Sequence, residues 1–230
     1  MTKLKLFSPA FVFMMGCTNI VMPIESRLHY SITETNRQPI PSNWVLLGNE
    51  IEVEEISKGN IRETLLSWSA LARANINKEL KPVARNFHLK LFDLPALSDT
   101  ESEIVNKYSV LYHLMIYSIV HHIRGEETWQ HKINKFDYYI GNGLNFLRTH
   151  GIDAALFIAG RQSVIWKNRG QDATRIINIS GKDISMGQMI IIMGLVDLST
   201  GNFLWFNVVD AIEVDLRNPS DVNEILAKIF

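Results

Sequence analysis

A single cysteine, Cys17, is all the thiol chemistry in this 230-residue sequence. No intramolecular disulfide can form, and stability has to come from a packed core. Long apolar runs are missing too. The amino-terminal run is roughly 11 residues and Met189–Val196 is about a strand in length, both short of the roughly 20 that span a bilayer as a helix. Charge of one sign is lacking: 23 basic residues stand against 24 acidic. That balance leaves no electrostatic footprint for nucleic acid, and zinc-finger and basic-zipper signatures are absent. The Gly-x-Ser-x-Gly elbow of serine hydrolases is also absent. Gly141-Asn142-Gly143 lacks the third glycine and the preceding strand of a dinucleotide fingerprint. His113, His121, His122 and His131 do not make a metal site, because adjacent histidines face different ways on a helix and zinc needs three or four converging ligands. Neither catalysis, nor a metal, nor a cofactor is expected.

What is there begins with an address. Lys3 and Lys5 form a short positive start, and Leu6, Phe7, Phe11, Val12, Phe13, Met14 and Met15 form an apolar core. Gly16 then precedes Cys17. A charged head, a short apolar run and a small residue read as a secretory signal over residues 1–16. A sole cysteine directly after that small residue reads as a lipoprotein signal, with the thiol of Cys17 acylated. Met14 and Met15 stand where such signals usually carry leucine and a small residue. Two or more acyl chains bind a membrane far more stably than one, since each buried CH₂ adds ~0.8 kcal/mol. In such lipoproteins an aspartate after the cysteine marks inner-membrane retention. Thr18 stands there instead, which points to the outer membrane with the domain facing the periplasm. Processing removes Lys3 and Lys5, leaving 21 basic residues against 24 acidic, a net charge near −3.

Residues 17–43 read as a lipidated tether, because Pro23, Pro39 and Pro41 and many polar residues interrupt any periodicity. Residues 44–230 read as one periplasmic domain. Val45, Leu46, Leu47, Ile51, Val53 and Ile56 suggest one or two strands. Asn60 with Glu63 resembles a capping box. Ile61, Leu65, Trp68, Ala72, Ile76 and Leu80 follow at helical spacing, and Lys81-Pro82 is expected to end that helix. Phe87, Leu89 and Leu91 alternate as a strand. Ser98 and Glu101 form a second capping box before a long apolar stripe from Ile104 to Ile123, which predicts a largely buried helix. A shorter helix is expected over 138–149. Ala154–Ala159 and Met189–Leu198 read as strands, and Ser199–Asn202 reads as a turn into a returning strand, Phe203–Val209. Asn218 and Pro219 open a last helix whose packed face is Val222, Ile225, Leu226 and Ile229. This order predicts an α/β fold: a mixed sheet of about five strands flanked by helices, in a single domain. A parallel crossover fits the first half and antiparallel hairpins the second. Tyr112, Tyr117, Trp129 and Phe136 read as core and near-core aromatics.

Arg161–Ser185 is the candidate functional region. Arg161, Lys167, Arg169, Arg175 and Lys182 outnumber Asp172 and Asp183, with Trp166 and isoleucines between them. Long loops in compact domains tend to be functional or disordered, and tryptophan and arginine are common interface anchors. Arg161, Trp166, Lys167, Arg169 and Arg175 are therefore candidates for an arm that binds a partner or a membrane surface. The alternative is that the two apolar triplets simply extend the flanking strands around a polar tip.

Several short blocks carry a resemblance. Val45–Val53, Trp68–Asn75, Phe136–Gly141, Asp153–Ile158, Leu195–Gly201, Trp205–Asn207 and Asp215–Pro219 together resemble a family of uncharacterised proteobacterial outer-membrane lipoproteins. The Val196–Gly201 hairpin is also similar to one in the curli-secretion lipoprotein and in the amino-terminal domain of TolB, which share a small α/β domain with a mixed sheet. The resemblance implies an envelope protein that does adaptor or assembly work, held to the membrane by acyl chains on Cys17 and partnered by other envelope proteins. It brings no catalytic residues. The chain lacks a convincing pair of amphipathic membrane hairpins, so pore formation is not expected. The alternatives to a binding factor are a subunit of an oligomeric secretion or surface-assembly complex, in which the chain is a homo-oligomer, and a hydrolase with an unrecognised site.

Overall fold

In the computed structural model the described residues are 21–33, 39–57, 60–124, 128–165, 176–177, 183–184, 188–212 and 214–230. Seven strands form one open mixed sheet: β1 (Val21–Leu28), β2 (Asn43–Ile56), β3 (Arg62–Thr64), β4 (Lys90–Phe92), β5 (Ala154–Ile165), β8 (Gln188–Asp197) and β9 (Phe203–Ile212). The order across the sheet is β1-β9-β8-β5-β2-β3, with β4 also beside β2. β2 runs parallel to β4 and β5, and the other neighbours are antiparallel. The α/β class, the parallel first half and the antiparallel second half thus match the reading of the sequence. Two short strands, β6 (Ile176–Ile177) and β7 (Asp183–Ile184), pair with each other apart from the main sheet.

Helices cover both faces, because each strand carries apolar residues on alternate sides. On one face α2 (Leu66–Asn86) and α5 (Pro219–Ile229) bury Ile76, Leu80, Ile225 and Leu226 against Ile51, Val53, Leu156 and Ile191. On the other, α3 (Asp99–Arg124) lays Tyr112, Ile116 and Ile119 over Phe157, Phe203 and Phe206. Gly194 admits Tyr112 here, since a Cβ at residue 194 would lie 2.7 Å from the Tyr112 ring. Asn218 caps α5 through its side chain, and Val222, Ile225, Leu226 and Ile229 are buried as the spacing predicts. The capping box of α3 is also present: Glu101 accepts from the Ser98 N–H at 2.8 Å, and Ser98 Oγ accepts from the Glu101 N–H at 3.3 Å.

Four expectations need correction. Part of the segment read as a tether is structured: β1 pairs with β9 from Val21↔Ala211 to Leu28↔Trp205, and α1 (Tyr30–Thr33) follows. Ladder bonds to β9 outweigh a proline-containing composition, with Pro23 at an edge where its missing N–H is tolerated. Asn60 does not cap a helix. It adopts φ 62° in the turn that returns β3 onto β2, and α2 starts at Leu66, where Ser69 Oγ accepts from the Val53 N–H at 2.9 Å. Pro82 does not end α2, which continues to Asn86 because Val83 and Ala84 are buried on the sheet. The helix expected over 138–149 is instead an extended segment. Tyr138 accepts from the Phe203 N–H and Ile140 donates to the Gly201 carbonyl, and only Asn145–His150 winds, as a 3-10 turn. A smaller α4 (Gln130–Asn134) packs near the end of α3.

Candidate binding face

The two strand registers bring several chain segments to one end of the sheet. Ile56 pairs with Ile165, Gln188 with Ile212, and Val21 with Ala211. The first residue of β1, the last residues of β2, β5 and β9, and the first residue of β8 therefore share that end. The β2–β3 turn and the start of α2 lie there too, since Leu65 donates to the Val53 carbonyl. Ile61 and Leu66 are 66% and 79% exposed at this end, and Ile212 and Ile190 are partly exposed. Apolar side chains are thus presented to solvent where the chain enters the sheet.

Below them, on the face that α3 covers lower down, lies an ionic cluster. Arg161 Nε reaches Glu54 Oε1 at 3.1 Å and its Nη2 reaches Glu52 Oε2 at 3.3 Å. Arg62 Nη1 lies 3.5 Å from Glu54 Oε2. Glu54 is buried, so two guanidinium groups offset the cost of desolvating its carboxylate. A cavity of about 180 Å³ opens beside them, lined by Ile56, Arg62, Arg161, Ser163, Ile165, Gln188 and Ile190. Arg161 is therefore part of β5 and engaged with carboxylates. Trp166, Lys167, Arg169 and Arg175 lie outside the described residues, as does Cys17. Val164 and Ile165 extend β5, as the simpler reading of the apolar triplets holds, whereas Ile176 and Ile177 belong to the separate ribbon.

Two of the candidate histidines have defined partners within the fold. His122 stacks on Trp129 with ring centroids 3.7 Å apart, and its Nδ1 lies 3.0 Å from the Tyr138 hydroxyl. Burial and the neighbouring His121, Lys132 and His131 lower its pKa. The Tyr138 phenol is pushed up to about 12, first by burial and then by the Asp137 carboxylate. His113 Nδ1 sits 2.6 Å from Glu50 Oε2. Among the described residues no three His, Cys, Asp or Glu side chains converge, and no helix is long and apolar enough to cross a membrane.

One surface escaped the reading of the sequence. The outward side of α3 exposes Val110, Leu114 and Tyr117 by 62, 63 and 62%. The apolar stripe predicts a largely buried helix with Tyr117 near the core. Its apolar residues in fact occupy almost the whole circumference, whereas a helix resting on a sheet buries only one side. That surplus was the available signal. Trp129, also expected near the core, is 44% exposed, while Tyr112 and Phe136 are buried as expected.

No protein-family profile matches the chain, and no curated protein does. Among solved structures it is similar to the PelC dodecamer from Paraburkholderia phytofirmans, at 9% identity and a TM-score of 0.35, over 91% of this chain and 96% of that one. A single-residue variant of the same dodecamer matches at 8% identity and a TM-score of 0.35, over 92% and 98%.

Proposed function

We propose that this chain is a lipid-anchored protein of the bacterial outer membrane, facing the periplasm, that works without catalysis as a binding or assembly factor. The observation that carries the proposal is the shared end of the sheet. Acylated Cys17 would lie four residues before Val21, within ~14 Å of chain reach of β1. The same end presents Ile61 and Leu66 and is where β5 ends and β8 begins, so an arm drawn from the basic, tryptophan-containing stretch between them would start near such an anchor. A partner bound there would be met at the envelope surface.

Two substitutions test this. Cys17→Ser should move the protein from the membrane fraction to the soluble periplasm. Trp166→Ala should reduce recovery of envelope proteins crosslinked to the chain in intact cells. An unprocessed chain found in the cytosol would remove the anchor, and unchanged recovery would remove the arm. A second reading, a subunit of an oligomeric assembly complex, is favoured by the exposed apolar row on α3.

A further inference from the structure

The outward row of α3 reads Glu103, Lys107, Val110, Leu114, Tyr117, His121. All six are exposed, and they recur at steps of four, three, four, three and four. They lie opposite the buried row Val105, Tyr112, Ile116 and Ile123. These steps average 3.6 residues, the period of the helix itself, so the row keeps to one straight side along which a second helix can pack. The row extends ~27 Å along the helix, at 1.5 Å per residue. Residues that hold the domain together are on the other side of α3, so this row contributes little to the fold.

The row is complementary to its own reverse. Set two copies of α3 antiparallel about a two-fold axis midway between Val110 and Leu114. Val110 of each copy then faces Leu114 of the other. Lys107 faces Tyr117, where an ammonium meets an aromatic ring. Glu103 faces His121, placing a carboxylate against an imidazole. The flanking positions agree as well, with Asn106 facing Ser118. A parallel arrangement would place Glu103 on Glu103 and Lys107 on Lys107, which costs rather than gains. Self-complementarity across a two-fold axis is the mark of an isologous contact.

We infer that α3 is a homodimerisation helix, pairing antiparallel with α3 of a second copy of this chain through Val110, Leu114 and Tyr117. The inference deepens the second reading above and rests on it; the lipid anchor plays no part in it. Standard interfaces bury ~800 Å² per partner. A single helix pair contributes less than that, so the contact is weak in dilute solution. Confinement of both copies to one membrane would raise their effective concentration and favour the pair.

Sedimentation velocity of the full chain in mild detergent, over a concentration series, tests the inference. The wild type should show a monomer–dimer equilibrium. Leu114→Asp should weaken dimerisation at least tenfold. His121→Glu, which sets like charges against Glu103, should weaken it several-fold. Adding Glu103→Lys to His121→Glu should restore it to within about twofold of wild type. All three positions are exposed, so each variant should unfold within a few degrees of wild type, as read by circular dichroism. A wild type that stays monomeric at every concentration overturns both the pairing and the oligomeric reading. An oligomer indifferent to Leu114→Asp, or a double variant no better than His121→Glu alone, overturns the α3 pairing and leaves the oligomeric reading standing.

Discussion

Three buried amides do much to fix the carboxy-terminal part of the chain. Gln162 donates to the Val214 carbonyl and accepts from the Leu216 N–H at 3.0 Å. Asn75 Nδ2 donates to the Leu216 carbonyl at 3.1 Å, and Asn207 Nδ2 to the Ile229 carbonyl at 3.2 Å. The stretch leading into α5 has few backbone partners of its own, and a buried unpaired group costs ~1–3 kcal/mol. Gln162→Leu strands two such groups and should lower stability by about 2–4 kcal/mol in urea titration. Titration acts at the same scale. Burial lowers the pKa of His29 and of His122, so the folded chain holds fewer protons than the unfolded chain as pH falls through the ordinary histidine value near 6.5. Their contribution is complete above that value and is lost as pH drops toward the folded pKa values. The urea midpoint should fall between pH 7.5 and pH 5.5. A His29→Asn/His122→Asn double variant should flatten that dependence.

Elements were legible where local chemistry and tertiary packing agree. Ser98 with Glu101, Asn218 with Pro219, and the Ser199–Asn202 turn all form as their residues indicate, because each motif satisfies backbone groups within a few residues. Asp197 Oδ1 accepts from the N–H groups of Ser199 and Thr200 at 2.7 and 2.9 Å, and closes that turn without distant help. Ser98→Ala removes half of a capping box and should cost ~1 kcal/mol, measured as a shift in thermal midpoint. Elements were illegible where a distant strand decides the matter. Asn60 is three residues before Glu63 in the pattern of a cap, yet pairing of β3 with β2 claims the segment. The 138–149 stretch has helical spacing at Ile140, Leu144 and Leu147, yet the β8–β9 turn holds its first residues extended. β1 carries no strand signal strong enough to overcome its proline and polar residues, because its partner is β9, at the far end of the sequence.

At the scale of the whole molecule, the layered α/β arrangement follows from alternation of helical and strand periods, and the class was readable on that ground. The candidate surface was readable only in part. Arg161 sits where the candidate face begins, but its guanidinium is claimed by Glu52 and Glu54, and no linear pattern announces an ion cluster that spans β2, β3 and β5. The α3 row was visible as residues and hidden as a surface, because which side of a helix meets the sheet depends on packing. The sheet also dictates an order of events. Among the described residues β1 pairs with β9 alone, across about 180 residues of chain, and such distant closure is slow. Pulse-labelled hydrogen exchange during refolding should therefore show β5 and β8 amides protected before those of β1. A chain delivered amino terminus first would present its opening strand long before the complementary one had emerged. For that interval the opening strand would be exposed to chaperones and proteases, and assembly of the sheet would finish with the two ends of the polypeptide.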